Sequence, residues 1–419
     1  MPFMLKVITI AELKPGMYVT RILKQKSNIK IKTGIVRSQS LIDTLALHGI
    51  KKLEIDLKQS ETAQAQQQVK PIVTPLIAPE PVEKTDPQPE PTPKQKKPAV
   101  IASDETSLEE EFQQASAAYD AGLRKITTLQ CDLMMGQSVN IAVLDEVGQT
   151  ILESVFRNES AMAVLTRLRD KNTYAFRHSI NTAILVTMFG KFLGYNKNRI
   201  IELTMGALFH DLGQSKVPQG ILSKADKLTE LERKAVQKHV AHSFSLAKQY
   251  PKITPLMIDV IINHHERLDG SGYPRGLKGD KLSTAAKIIA IVDVYDALTA
   301  DRHFKSGIEP IAALRYLMSK PELFDSVLVQ KFIRCVGVHP VGSIVKLTGE
   351  KLALVLEGNR AAPLKPKIQI FYNAKHQHYI TRKKLCLVEH GQTIKIISGV
   401  QPQDHQINLS RLLKEQLSV

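Results

Sequence analysis

The chain has 419 residues, 43% of them apolar and 23% charged, which suffices for two or three domains with their own cores and excludes a wholly disordered protein. Three cysteines, Cys131, Cys335 and Cys386, supply neither a disulfide framework nor a CxxC zinc knuckle and fit a reducing cytoplasm. The net charge of +16 sits at the two ends: Lys and Arg outnumber Asp and Glu 11 to 4 over residues 1–58 and 14 to 5 over residues 331–419. Nucleic acid, an anionic membrane face or an anionic nucleotide could each exploit such charge. No Arg-rich run or aromatic platform accompanies it, so a solubilising basic surface is the plainer reading and no binding to a nucleic-acid duplex is expected. Lys6, Glu12 and Lys14 interrupt the N-terminal stretch, and no run approaches the roughly 18 to 20 apolar residues that span a bilayer, so neither a signal peptide nor a membrane span is expected.

Residues 1–58 alternate apolar and polar positions around turn signals such as Lys14-Pro15-Gly16, and they read as a small β or α+β module ending in Lys52–Asp56. Residues 59–106 form a Pro-rich linker: nine of the chain's 21 prolines lie between Pro71 and Pro98, among Gln, Glu and Lys that cannot bury enough apolar surface to order. After Ser107 the period becomes helical, opening on the acidic turn Glu109-Glu110-Glu111 that suits a helix N-terminus. Apolar residues recur at three-to-four spacing through Leu123, Ile126 and Leu133, from Ile151 to Leu168, through Ile180, Ile184 and Phe189, and through Leu203 and Leu208. A mainly helical domain over residues 107–337 follows, with a bundle architecture. Beyond His339-Pro340, short β-type runs at 343–347, 352–356, 368–372 and 393–397 predict a small β-rich appendage over residues 338–419. The expected fold class is therefore mainly α, flanked by two small sheet-bearing modules.

Six of the 13 histidines fall between residues 178 and 265. His178 lies on one apolar helix, His210-Asp211 ends the next, His239 sits in the following one, and His264-His265 ends another after Val260, Ile261 and Ile262. Asp293 interrupts the apolar run Ile288–Val294, where a carboxylate needs a cation or a hydrogen-bond network. A lone histidine beside an apolar helix is usually structural. Several segments each offering His or Asp at a helix end or inner face instead describe a metal site of a hydrolytic enzyme.

His178, His210-Asp211-Leu212-Gly213, His239, His264-His265-Glu266 with Asp269-Gly270-Ser271-Gly272-Tyr273-Pro274, and Asp293 with Tyr295–Thr299 together closely resemble the HD-GYP subfamily of the HD phosphohydrolases. Its members are bacterial signalling phosphodiesterases that hydrolyse cyclic di-GMP, and the resemblance runs from about residue 170 to 337. Leu13–Val19 also resembles the small accessory domain that precedes some HD-GYP domains. The resemblance implies that His178, His210, Asp211, His239, His264, His265 and Asp293 hold two divalent metal ions, iron or manganese before zinc, with Asp211 bridging them. Tyr174 stands where relatives with a third metal carry Glu, so this chain resembles the two-metal form. Arg302 and Lys305 match the family's phosphate-contacting Arg-x-x-Lys, and Tyr273 lies in a loop that shapes the substrate pocket and contacts other signalling proteins. Glu266 and Asp269 are expected to orient ligands or loop amides, and His242 is expected to be structural or exposed.

Two cations a few Å apart lower the pKa of a bridging water, which then attacks phosphorus in line and opens cyclic di-GMP to linear pGpG, with GMP as a further product in some relatives. One departure matters: the family's lysine after His-Asp-x-Gly is Gln214 here. Losing one cation aimed at phosphate costs on the order of 10²-fold in rate by comparison with other electrostatic donors. A catalytically weak cyclic di-GMP receptor is therefore the alternative reading, and an HD hydrolase of another phosphoester is a third. The terminal modules are candidates for signal sensing, homodimerisation or partner docking.

Overall fold

In a computed structural model of the chain, the residues described are 5–25, 34–36, 42, 45–46, 50–57, 106–167, 174–224, 226–301, 306–390 and 393–417. The Pro-rich linker lies outside them but for Thr106, and so do Arg302 and Lys305.

The N-terminal module is an antiparallel sheet of β1 (Leu5–Thr9), β2 (Tyr18–Gln25), β3 (Gly34–Ile35) and β4 (Ile50–Asp56), in the order β1-β4-β2-β3. Ile8, Val19, Leu53 and Ile55 share its core with Met135, so the sheet closes on the end of the first long helix.

That helix, α1 (Leu108–Met134), starts where the acidic turn predicts. Ser107 Oγ accepts the Glu110 N–H while the Glu110 carboxylate accepts the Ser107 N–H, a reciprocal cap that satisfies two of the helix's first free donors. The bundle continues with α2 (Val143–Leu165), α3 (Tyr174–Phe192), α4 (Lys197–Phe209), a 3-10 turn (Leu212–Lys216), α5 (Gln219–Leu222), α6 (Glu230–Gln237), α7 (His239–Ala247), α8 (Pro255–Asn263), α9 (Thr284–Thr299), α10 (Pro310–Met318) and α11 (Ser326–Val336). α9 is set deep in the apolar core: Ile288, Ile289, Ile291 and Val292 are all at most 1% exposed. Each such side chain contributes about 1.5–3 kcal/mol by leaving water, which fixes the helix that carries Asp293.

The C-terminal region is a second antiparallel sheet, β5 (Ile344–Leu347), β6 (Lys351–Glu357), β7 (Lys367–Asn373), β8 (His378–Cys386) and β9 (Ile396–Val400), in the order β8-β7-β6-β5-β9. A short α12 (Leu387–His390) follows β8, and α13 (Leu409–Leu417) ends the described chain. The alternation of β6 explains how the sheet is held: Leu352, Leu354 and Leu356 enter the core of the helical bundle, whereas Ala353 and Val355 build a separate core on the opposite face. Sequence periodicity misses β8 because its core-facing signal is overwritten by exposed charge at Arg382, Lys383 and Lys384.

The chain is thus mainly α with a sheet-bearing module at each end. Among the described residues no helix is long and apolar enough to cross a membrane.

Candidate metal centre

The bundle delivers its histidines at helix ends, and one local device repeats. His210 caps the C-terminus of α4 and donates its Nδ1–H to the Ala207 carbonyl at 2.6 Å. His264 caps α8 and donates to Ile261 O at 2.8 Å, and His239, the first residue of α7, donates to Val236 O at 2.7 Å. A carbonyl only accepts, so each of these rings carries a proton on Nδ1 and turns its Nε2 to the interior, where in the neutral ring that atom's lone pair is available to a cation. His178 on α3 reaches the same arrangement through a side chain: its Nδ1 donates to Asp296 Oδ2 at 2.7 Å.

These Nε2 atoms converge on Asp211. His239 Nε2 lies 3.2 Å and His264 Nε2 3.9 Å from Oδ1, while His178 and His210 Nε2 lie 3.6 and 3.5 Å from Oδ2. Two groups of ligand atoms, each within 4.8 Å of one another, result: Asp211, His239, His264 and His265 in one, and His178, His210 and Asp211 in the other. Asp211 belongs to both, as a bridging carboxylate must. Asp293 closes the ring from α9, with Oδ1 at 2.9 Å from His178 Nε2 and 3.9 Å from His210 Nε2, and Oδ2 at 3.6 Å from His265 Nδ1. The structure therefore brings all seven expected ligands together, from five separate segments.

The cluster fits cations on chemical grounds. His210 Nε2 and Asp211 Oδ1 are buried with no hydrogen-bond partner among the described residues, and such orphan atoms in a polar cluster are what a bound ion satisfies. His239 and His264 present their Nε2 atoms to each other at 3.2 Å, where two lone pairs repel unless a cation or a proton lies between them. Burial and the neighbouring imidazoles hold His264 and His265 well below the usual histidine range, so both are neutral donors at pH 7. Burial would raise Asp211 and Asp293, but positive charge and hydrogen bonding from the surrounding imidazoles when these carry a second proton prevail, so without a cation Asp211 is held well below the carboxylate range and Asp293 is lowered to about 2.

Glu266 and Asp269 do not join the cluster. Buried Glu266 accepts the Arg275 N–H at 2.8 Å and the Leu277 N–H at 3.0 Å, and Asp269 accepts the Ser271 N–H at 2.8 Å. Both tie down the loop that carries Tyr273. The Tyr273 ring lies 4.6 Å from His265 and 6.4 Å from His239, at the rim of the metal cluster. Burial, then the charges of Asp211 and Asp293, keep its phenol protonated, so it faces the site as a hydrogen-bond donor. Gln214, half-buried on the 3-10 turn, sits three residues beyond Asp211 and donates its backbone N–H to the Asp211 carbonyl at 3.0 Å. His242 is half-buried beside Gly213, outside the ligand groups. Asp296 is a site residue that the ligand pattern alone does not mark. Its signal is position: three residues after Asp293, it lies on the same face of α9.

A His/Asp cluster gripped by helix ends in an all-helical pocket is the site of a metal-dependent phosphohydrolase of the HD type, and comparison with known proteins agrees. A family model described as an HD domain matches residues 162–328, and one described as a domain of unknown function, DUF3391, matches residues 5–144. A cyclic di-GMP phosphodiesterase of Pseudomonas aeruginosa is 31% identical over 73% of this chain and 74% of its own length. The cyclic di-GMP phosphodiesterase response regulator RpfG of Xanthomonas campestris is 31% identical over 46% of this chain and half of its own, and a 3'3'-cGAMP-specific phosphodiesterase of Vibrio cholerae is 37% identical over 35% and 34%. The chain belongs to the HD-GYP family of HD-domain phosphodiesterases, and it carries the DUF3391 domain at its N-terminus.

Proposed function

We propose that this protein hydrolyses cyclic di-GMP to linear pGpG, and onward to GMP if the linear product rebinds, in the cytoplasm and with iron or manganese at the cluster. The carrying observation is the convergence of His178, His210, Asp211, His239, His264, His265 and Asp293 on one buried site with Asp211 common to both ligand groups. The named activity of the Pseudomonas aeruginosa relative supports the choice of substrate.

When bound, a metal pair supplies an activated water and neutralises charge on the phosphoryl oxygens. The protein's own residues do the rest. His178, His210, His239 and His264 hold fixed tautomers through their Nδ1 hydrogen bonds, so the ligand field costs little reorganisation. Tyr273 offers a phenolic proton at the rim, and the Glu266 carboxylate holds its loop rigid from beneath. Arg302 grips a phosphate bidentately and Lys305 adds a point charge. The Tyr273 loop is the surface that meets other signalling proteins, and the terminal modules serve sensing or homodimerisation.

Gln214 favours a second reading. A neutral amide at this position removes a cation from the phosphate site while leaving the ligands intact, which suits a cyclic di-GMP receptor of low turnover. A substrate panel on the metal-loaded protein separates the readings. Turnover of cyclic di-GMP above a hybrid GMP–AMP cyclic dinucleotide and a simple phosphodiester, abolished by His264→Ala, supports the phosphodiesterase. Tight binding without product supports the receptor, and preference for a non-cyclic ester contradicts both.

A further inference from the structure

The C-terminal sheet does not close completely on the helical bundle. A cavity of about 20 Å³ lies at the seam, more than the roughly 10–15 Å³ that one water needs. Arg167, just past the end of α2, and Glu309, just before α10, line it from the bundle, and His339, Ser343, Gly399 and Gln401 line it from the C-terminal region. The sheet enters beside Gly342, whose φ of 81° and missing side chain let it lie on the Arg167 stem: a Cβ there would stand 3.2 Å from Arg167 Cγ. Gln401 fastens its own wall to the bundle by donating its Nε2–H to Gly307 O at 3.1 Å.

Two polar side chains on this cavity are buried without a partner. Arg167 is 7% exposed and Ser343 8%, and neither Arg167 Nε nor Ser343 Oγ has a hydrogen-bond partner among the described residues. Such orphans are rare in folded proteins and call for a group that the chain itself does not supply. Burial disfavours the Arg167 charge and Asp296 and Asp301 act the other way, yet a guanidinium stays protonated in either setting, so the missing group is an anion. Glu309 is the one acid in the lining. Its Oε2 lies against Gly399, where a Cβ would meet it at 2.4 Å, and it makes no ion pair with Arg167. Burial keeps His339 neutral, with one ring N–H to give.

We infer that this cavity binds a compact tetrahedral oxyanion of the phosphate class, held by Arg167 and Ser343 at the seam between the bundle and the C-terminal sheet. Donors from three separate segments suit an ion whose acceptor atoms point in several directions, and the volume leaves no room for a nucleotide. Because the site exists only while the sheet is docked, the bound anion strengthens that docking. None of the lining residues belongs to the metal cluster, so the inference does not rest on the reading of the activity.

The test follows deuterium uptake of the full, metal-loaded chain as inorganic phosphate is titrated at constant ionic strength, with acetate in parallel. Expected is saturable protection of the peptides spanning residues 338–346 and 397–402, with acetate much the weaker ligand. Arg167→Gln and Ser343→Ala should each raise the half-saturating phosphate concentration about tenfold or more, the scale of one hydrogen bond to a charged group. Ser343→Ala deletes a single hydroxyl and spares the buried charge, so it decides the matter even where Arg167→Gln unfolds. An unchanged half-saturation in Ser343→Ala would overturn the inference. So would an absence of protection at these peptides, protection confined to the peptides that carry the metal ligands, or protection by acetate equal to that by phosphate.

Discussion

Asp296 accepts the Nδ1 proton of His178 at 2.7 Å, so the carboxylate that fixes this imidazole comes from the same helix as the ligand carboxylate Asp293, one turn further on. A carboxylate in this role raises ligand basicity and locks the ring, and its loss typically costs 10–100-fold in metal affinity. Asp296→Asn should weaken metal retention by about that factor, measured by chelator competition, with the far-ultraviolet spectrum of the bundle retained. Unchanged retention would remove Asp296 from the centre's support.

Gln214→Lys restores a cation three residues from Asp211. Turnover should rise, by up to about 10²-fold if the amide is the limiting defect, while the metal count per chain stays the same. Steady-state kinetics with metal analysis on the same samples decides this. An unaltered or lower kcat would show that Gln214 is no deficit.

Gly213 is pinned where no side chain fits. A Cβ would lie 2.1 Å from His239 O and 2.4 Å from Ser243 N, and the Gly213 N–H donates to Ser243 Oγ at 2.8 Å. Gly213→Ala should therefore push the Asp211 turn away from α7, destabilising the fold by about 1–3 kcal/mol or more and releasing metal. Ser243→Ala removes only the hydrogen bond and should cost about 1–2 kcal/mol. Denaturant unfolding that ranks the two in the opposite order would contradict the packing described for this turn.

His339 is held below the usual histidine value by burial. The unfolded chain then binds more protons than the folded one as pH falls below about 6.5, so stability declines on acidification through that window. Thermal midpoints taken from pH 7.5 to 5.5 should fall less steeply for His339→Asn than for the wild type. With metal stripped, part of the slope should persist in the variant, because His264 and His265 are also held low by burial. Parallel slopes in wild type and variant would show that His339 titrates normally.

The site was more legible in the sequence than the modules around it. Histidines at the ends of apolar helices stand out because imidazole beside Val260 and Ile261, or beside Leu208, has no packing reason to be there. Asp296 lies in the motif segment Tyr295–Thr299, but its role was not legible there, since its partner His178 is 118 residues away and only tertiary packing reveals the pairing. Gln401 was invisible for the same reason: its bond to Gly307 spans 94 residues and joins two modules. In the C-terminal region four strands could be read from apolar runs, whereas β8 could not, because exposed Arg382, Lys383 and Lys384 mask its period. The fastening of that sheet to the bundle through Leu352, Leu354 and Leu356 also depends on which face of β6 is turned inward, which periodicity marks but does not assign.

The most direct test of the account is to load the full chain anaerobically with iron or manganese, count the metal, and separate the products of cyclic di-GMP on the same sample. The account predicts two ions per chain and linear pGpG, with both lost in Asp211→Asn because that carboxylate is shared by the two ligand groups. Two ions with no linear product, in the wild type and in Gln214→Lys alike, would contradict it.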